Sequence, residues 1–268
     1  MLTPQQIAFF ETFGFLVLPG LMAEEIGWIT EGFEELFQGR TDPHDGTRRT
    51  LALMDHSERL CTLLDHPKIV GIASSLLGED FNCLAGDANY YVGDTGWHSD
   101  GWHDVGLYVK IAFYLDPVTR DTGCLRVIPG SHRLDSPWVH DVRKVARPEE
   151  NFGVAGRDVP SVALESRPGD VVAFNHNLHH AAFGGGNRRR MFTMNLCRRA
   201  TTPEEIADLR GFINSQARFW MEHTHSDVMR RTASPERMRH LEQVMANEDE
   251  LAELSRRART TMAEPARG

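Results

Sequence analysis

Between residues 82 and 198 the chain breaks into short runs rich in β-branched and aromatic residues, each closed by Gly, Pro, Asp or Asn. Asn89-Tyr90-Tyr91-Val92, Leu107 to Leu115, Leu125-Arg126-Val127-Ile128, Asp170 to Phe174 and Met191 to Leu196 are the clearest of them. Such side chains suit a pleated, half-buried surface, and the turn residues interrupt each run before a helix can establish itself. Several short strands with this punctuation imply an all-β sandwich or barrel. The segment 133–165 is polar, proline-bearing and weakly patterned. It reads as a long excursion between strands, a length of loop often tied to function.

The flanks read as helical. Thr3 can cap a first helix, with Pro4 at its first position and Gln6 completing a capping box; Ile7, Phe10 and Phe13 share a face and Gly14 ends it. Phe15 to Leu18, closed by Pro19-Gly20, reads as a strand. Ile26, Ile29, Phe33 and Leu36 recur at helical spacing, and another helix begins near Pro67 with Val70, Ala73 and Leu77 inward. Beyond the β region, Thr202-Pro203-Glu204-Glu205 repeats the capping logic, and Ser234-Pro235 opens a helix with Met238, Leu241 and Met245 on one face. Residues from Thr260 onward are expected to fray. The simplest organisation is one domain over 1–268: a mainly helical part (1–80), a β core (82–198) and C-terminal helices (201–258). Those last helices could pack on the core, cover a pocket or contact a second copy in a homodimer.

At 268 residues and 41% hydrophobic, the chain can bury one sizeable core. A net charge of −9 argues against a general nucleic-acid binder and gives no reason to expect adhesion to anionic membranes. No secretory pattern opens the sequence, and no uninterrupted apolar stretch is long enough to span a bilayer. Cys61, Cys83, Cys124 and Cys197 are scattered, so they read as reduced core residues in a cytoplasmic protein. A small-molecule substrate fits this profile.

The chemistry concentrates in three stretches. In Gly96-Trp97-His98-Ser99-Asp100-Gly101, residues two apart in a strand share a face, so His98 and Asp100 would aim an imidazole and a carboxylate at one point. In the second stretch, Pro168-Gly169-Asp170 feeds an apolar strand followed by His176, His179 and His180, any of which could supply a third ligand. Two histidines and a carboxylate on one face of a metal form the facial triad of non-haem iron(II) oxygenases, which leaves positions open for co-substrate and O2. The third is Asn187-Arg188-Arg189-Arg190, just before the run Met191 to Asn195, where a guanidinium could pair with the distal carboxylate of 2-oxoglutarate. H-x-D alone is common by chance; the ordered set is far more specific. Asn89 and Tyr91, of matching parity on the preceding strand, could also touch 2-oxoglutarate. Trp102 and His103 fall in a loop at the mouth, where they could touch substrate. His132 reads as a structural residue of its turn, and Lys110 within an apolar run as either a barrel-mouth group or a solvated one.

Phe13-Gly14-Phe15-Leu16-Val17-Leu18-Pro19-Gly20-Leu21, Trp97-His98-Ser99-Asp100 and, above all, Gly123-Cys124-Leu125-Arg126-Val127-Ile128-Pro129-Gly130-Ser131-His132 resemble the phytanoyl-CoA dioxygenase (PhyH) family over roughly residues 5 to 200. The resemblance implies a mainly β fold with flanking helices around a double-stranded β-helix (jelly-roll, cupin-like) core. It implies Fe(II), with 2-oxoglutarate and O2 as co-substrates, and hydroxylation of an unactivated C–H bond with release of succinate and CO2. Related iron halogenases replace the carboxylate with a small residue, so Asp100 points to hydroxylation. The family pattern places the distal ligand about six residues past the aromatic Phe174, at His180; His176, of the same parity, ranks second and could line the pocket, and His179 third. Counting back from Asn195 indicates Arg189, and counting forward from His180 indicates Arg190. The competing readings are a cupin-like metalloprotein that does not use 2-oxoglutarate and an inactive binding protein of the same fold.

Overall fold

The computed structural model describes residues 1–38, 49–52, 57–186 and 189–265. Asn187, Arg188 and residues 266–268 lie outside this set, and with them part of the arginine run and of the tail expected to fray.

Helix α1 (Pro4–Phe13) starts as its capping box dictates: the Thr3 hydroxyl accepts from the Gln6 amide, and the Gln6 side chain accepts from the Thr3 amide at 2.9 Å. Gly14 ends it in the left-handed region (φ 84°). Only Phe10 of the expected face is buried; Phe13 is exposed and packs on Phe9, with ring centroids 4.7 Å apart. Strand β1 (Phe15–Leu18), helix α2 (Ile26–Phe37), strand β2 (Arg49–Ala52) and helices α3 (Glu58–Cys61) and α4 (Pro67–Leu77) complete the N-terminal part. The β core then runs through β3 (Asn82–Tyr91), β4 (Thr95–His98), β5 (Tyr108–Tyr114), β6 (Leu125–Val127), β7 (Val162–Leu164), β8 (Val171–Asn175), β9 (His180–Ala182) and β10 (Arg189–Cys197).

Two antiparallel sheets make the jelly-roll, and they do not close into a barrel. One has the order β1-β8-β5-β10-β3-β2 and the other β4-β9-β6-β7. The outer face of the larger sheet (Val109, Ile111 and Phe113; Phe192, Met194 and Leu196; Val171 and Ala173) is buried in one cluster with Ile29, Phe33, Ile69 and Ile72 of α2 and α4. The cross-strand pair Phe113–Phe192 stacks at 4.2 Å, an arrangement that contributes about 0.5–1 kcal/mol beyond area burial. The inner face packs partly against Leu125, Val127 and Leu164 of the smaller sheet and otherwise lines a cavity.

The Pro129-Gly130-Ser131-His132 turn ties these parts together. The Gly130 amide donates to the Phe13 carbonyl at 3.0 Å, and His132 Nε2 meets the Glu11 carbonyl at 3.1 Å. The Ser131 hydroxyl accepts from the His179 amide at 2.9 Å, so the turn also fixes the start of β9.

The structure departs from the sequence reading in three places. The stretch from Val171 to His180 is not one strand: β8 stops at Asn175, whose side chain accepts from the Asn177 amide at 2.8 Å, and this turn carries the chain into the other sheet. The excursion over 133–165 holds helices α5 (Val139–Arg143) and α6 (Pro148–Phe152) and ends in strand β7. The C-terminal part comprises α7 (Pro203–Ser215), with its expected capping box, then α8 (Asp227–Thr232), α9 (Pro235–Met238), α10 (Glu242–Met245) and α11 (Leu251–Thr261). The single helix expected from Ser234 is thus split into α9 and α10. His240 lies at the break, its Nδ1 2.8 Å from the Phe81 carbonyl and its ring stacked on Phe81. Among the described residues no single helix is long and apolar enough to cross a membrane.

His225, between α7 and α8, is fully buried, and burial pushes its imidazole down to about 4 against the weaker pull of Glu248. An unfolded histidine binds its proton near pH 6.5, so between pH 6.5 and 4 the unfolded chain holds more protons and stability falls with pH. This one residue accounts for about 3 kcal/mol of the loss. Urea melts from pH 7 to 4.5 should show the decline, and His225→Gln should flatten it by close to one proton.

Candidate metal and co-substrate site

His98 ends β4 and pairs in register with His180, the first residue of β9. Asp100 lies just beyond the strand rather than within it. Its amide, and that of Gly101, donate to the His176 carbonyl at 3.0 and 3.2 Å, which turns the carboxylate inward. His98, Asp100 and His180 thereby bring one ligand atom each to within 4.8 Å of one another. His98 Nε2 is 4.0 Å from Asp100 Oδ1, and His180 Nε2 is 3.7 Å from Asp100 Oδ2.

Both rings are held by the opposite nitrogen. His98 Nδ1 sits 2.8 Å from the Gly96 carbonyl and His180 Nδ1 2.8 Å from the Leu178 carbonyl. A carbonyl can only accept, so each Nδ1 carries the proton and each Nε2 presents a lone pair. That backbone anchoring of the far nitrogen is typical of metal-ligating histidines. Burial, partly offset by Asp100, holds His180 down at about 3, so it is neutral at pH 7. Burial alone would raise the Asp100 carboxyl; Lys110, His180, His176 and His98 outweigh it and hold the group well below the usual carboxylate range. Two imidazoles and one carboxylate suit a divalent cation.

The triad lines a cavity of about 640 Å³. Alternation along β10 sends Arg189, Met191, Thr193 and Asn195 into it and Phe192, Met194 and Leu196 into the helix-side core. Arg189 is buried, with its guanidinium 4.8 Å over the Tyr91 ring, its Nη1 donating to the Gly123 carbonyl and its Nε without a hydrogen-bond partner among the described residues. Arg190 faces away: it is pinned by Asp116 at 2.5–3.2 Å and by Glu34 at 2.5 Å. Its reading as a co-substrate residue is corrected, because adjacent strand residues point to opposite faces and only one of the pair can enter the cavity. Asn89, Tyr91, Trp102, His103 and His176 all line the cavity. His179 does not; it packs against Trp102.

The phytanoyl-CoA dioxygenase (PhyH) family model matches residues 10–191, well over half of the chain. The chain belongs to the PhyH family. The ectoine dioxygenase of Sphingopyxis alaskensis is 25% identical over 219 residues, covering 68% of this chain and 71% of that protein. HygX from Streptomyces hygroscopicus, crystallised with nickel and 2-oxoglutarate, superposes with a TM-score of 0.60 at 20% identity, covering 75% of this chain and 89% of HygX. SnoK, a non-heme α-ketoglutarate-dependent carbocyclase from nogalamycin biosynthesis, superposes with a TM-score of 0.58 at 22% identity, covering 74% of this chain and 84% of SnoK.

In this PhyH protein one wall of the cavity lies beyond the family match. Ala207, Asp208, Gly211 and Phe212 of α7, with Gln216 and Arg218 after it, face the site. Asp208 docks that helix on the metal loop through His103 Nδ1 at 2.9 Å, while Asn177 clamps the His103 backbone through both its amide atoms. No sequence signal marked Asp208, since its partner is 105 residues away. Lys110 proves to be an inward, half-buried residue that lines the cavity, its Nζ 2.9 Å from Asp100 Oδ2.

Gly123, in the left-handed region, lies against Arg189 so closely that a β-carbon there would strike the guanidinium. Gly123→Ala is expected to raise the KM for 2-oxoglutarate by roughly tenfold, through displacement of Arg189, and to leave ferrous affinity unchanged. Steady-state kinetics and a metal titration check both.

Proposed function

We propose that this PhyH protein is an Fe(II)- and 2-oxoglutarate-dependent dioxygenase that hydroxylates an unactivated C–H bond of a small-molecule substrate. The single observation that carries the reading is that His98, Asp100, His180 and Arg189 meet in one cavity although the chain separates them by up to about ninety residues. An ion held by three side chains keeps positions open on one face. A buried guanidinium nearby matches a carboxylate at the far end of a chelating keto acid.

Bound there, iron and 2-oxoglutarate supply the oxidation: O2 and 2-oxoglutarate yield succinate, CO2 and one oxygen atom inserted into C–H. The chain's own work is holding and excluding. His98, Asp100 and His180 hold the ion. Arg189, with Tyr91 and Asn89 beside it, holds and orients the keto acid. Trp102, His103, His176 and the α7 wall shape the substrate end and keep water out; Trp102 is covered by Arg143 from the excursion, 3.4 Å above its ring. The four cysteines are buried and form no disulfide among the described residues, which supports a reducing location such as the cytoplasm.

The test is succinate formation from 2-oxoglutarate with Fe(II) and ascorbate. Succinate above an iron-free control supports the reading. Bound iron with no succinate, even when candidate small molecules are added, favours the non-catalytic binding protein.

A further inference from the structure

Lys110 interrupts an apolar strand, Tyr108-Val109-Lys110-Ile111-Ala112, and its half-buried side chain lines the cavity. Withdrawing an ammonium from water into a cavity is costly unless an anion answers it. The nearest anion is Asp100: Nζ lies 2.9 Å from Oδ2, which is also 3.7 Å from His180 Nε2, while Oδ1 is 4.0 Å from His98 Nε2; Asp87, in the same cavity, adds a second negative charge. The residues opposite Lys110 on the two neighbouring strands are Asn195 of β10 and Phe174 of β8, neither of them charged, so its negative partners come from farther along the cavity wall.

An unrestrained carboxylate can ligate a metal through one oxygen or both. An octahedral ion that takes one position from each of three side chains keeps a face for a two-point keto acid and for O2. If Asp100 bound through both oxygens, that face would lose a position, and the keto acid would be the ligand to give way.

Building on the function proposed above, we infer that Lys110 is a positioning residue whose ammonium engages one oxygen of Asp100 and so holds the carboxylate to one-point ligation. It need touch neither substrate nor metal. It acts through Asp100 and preserves the number of open positions.

The experiment compares wild type with Lys110→Met, Lys110→Gln and Lys110→Arg under anaerobic conditions. Ferrous ion is titrated first, then 2-oxoglutarate, followed by the charge-transfer absorption that a chelated keto acid gives with Fe(II). In Lys110→Met and Lys110→Gln, ferrous affinity should stay within a few-fold of wild type. The Kd for 2-oxoglutarate should rise about tenfold and the band should shift or weaken, in line with the usual effect of removing a partner of a metal ligand. Lys110→Arg, which keeps a cationic donor, should restore part of the band. Wild-type 2-oxoglutarate affinity and an unchanged band in both neutral variants overturn the inference. Loss of ferrous uptake together with the band also overturns it, because Lys110 would then serve the fold or the metal itself. A wild-type protein that takes up iron yet shows no band overturns the proposed function, and this inference with it.

Discussion

Changing His98 and Asp100 together to alanine is expected to abolish stoichiometric ferrous uptake and to cut succinate formation by roughly a thousandfold or more. Partners that merely orient a ligand cost about 10–100-fold when removed, so loss of two ligands must exceed that range. The remaining His180 Nε2 is a single neutral donor, and one imidazole does not hold a hydrated divalent ion at micromolar concentration. Both altered side chains lie at the end of β4 and just past it, with His98 partly solvent-facing and Asp100 held through its backbone amide. The fold should therefore survive. Anaerobic titration with Fe(II), alongside a thermal melt, measures both. Wild-type uptake by the double variant would sink the metal site.

The arginine pair should separate cleanly. Arg189→Ala is expected to raise the KM for 2-oxoglutarate by about 30-fold to several thousandfold, corresponding to the roughly 2–5 kcal/mol lost when one partner of a buried charge pair is truncated. Ferrous uptake should be retained. Arg190→Ala should leave that KM alone and instead lower stability by about 1–3 kcal/mol, because it breaks the half-buried contacts to Asp116 and Glu34. Measuring KM and urea midpoints for both variants crosses the two effects. A stability loss from Arg189→Ala with unchanged KM would remove the co-substrate role, and with it the main argument against a cupin-like protein that uses no keto acid.

The helix starts, the strand runs of the core and the family signature were legible because each is a local affair. Capping boxes at Thr3 and Thr202 need only four consecutive residues, and alternation of apolar side chains marks a strand wherever one face is buried. His98 and Asp100 were legible for the same reason, sitting two residues apart. The parity argument that linked His176 to His180 assumed one continuous strand. The turn at Asn175 removes that premise, and His180 reaches the site because β9 pairs with β4, in the other sheet. Asp208 and the α7 wall were illegible: an amphipathic helix announces that one face is buried but not against what.

The sequence by itself determined the class of fold, the metal-binding residue types and the family, since short-range pattern and composition set local conformation and which faces seek burial. Only the tertiary structure decided which of Arg189 and Arg190 enters the cavity, which of three histidines meets His98, and that Lys110 faces Asp100. Those outcomes depend on sheet register and on side chains brought together across the fold. A one-residue change in register would reverse every one of them while leaving the local pattern untouched.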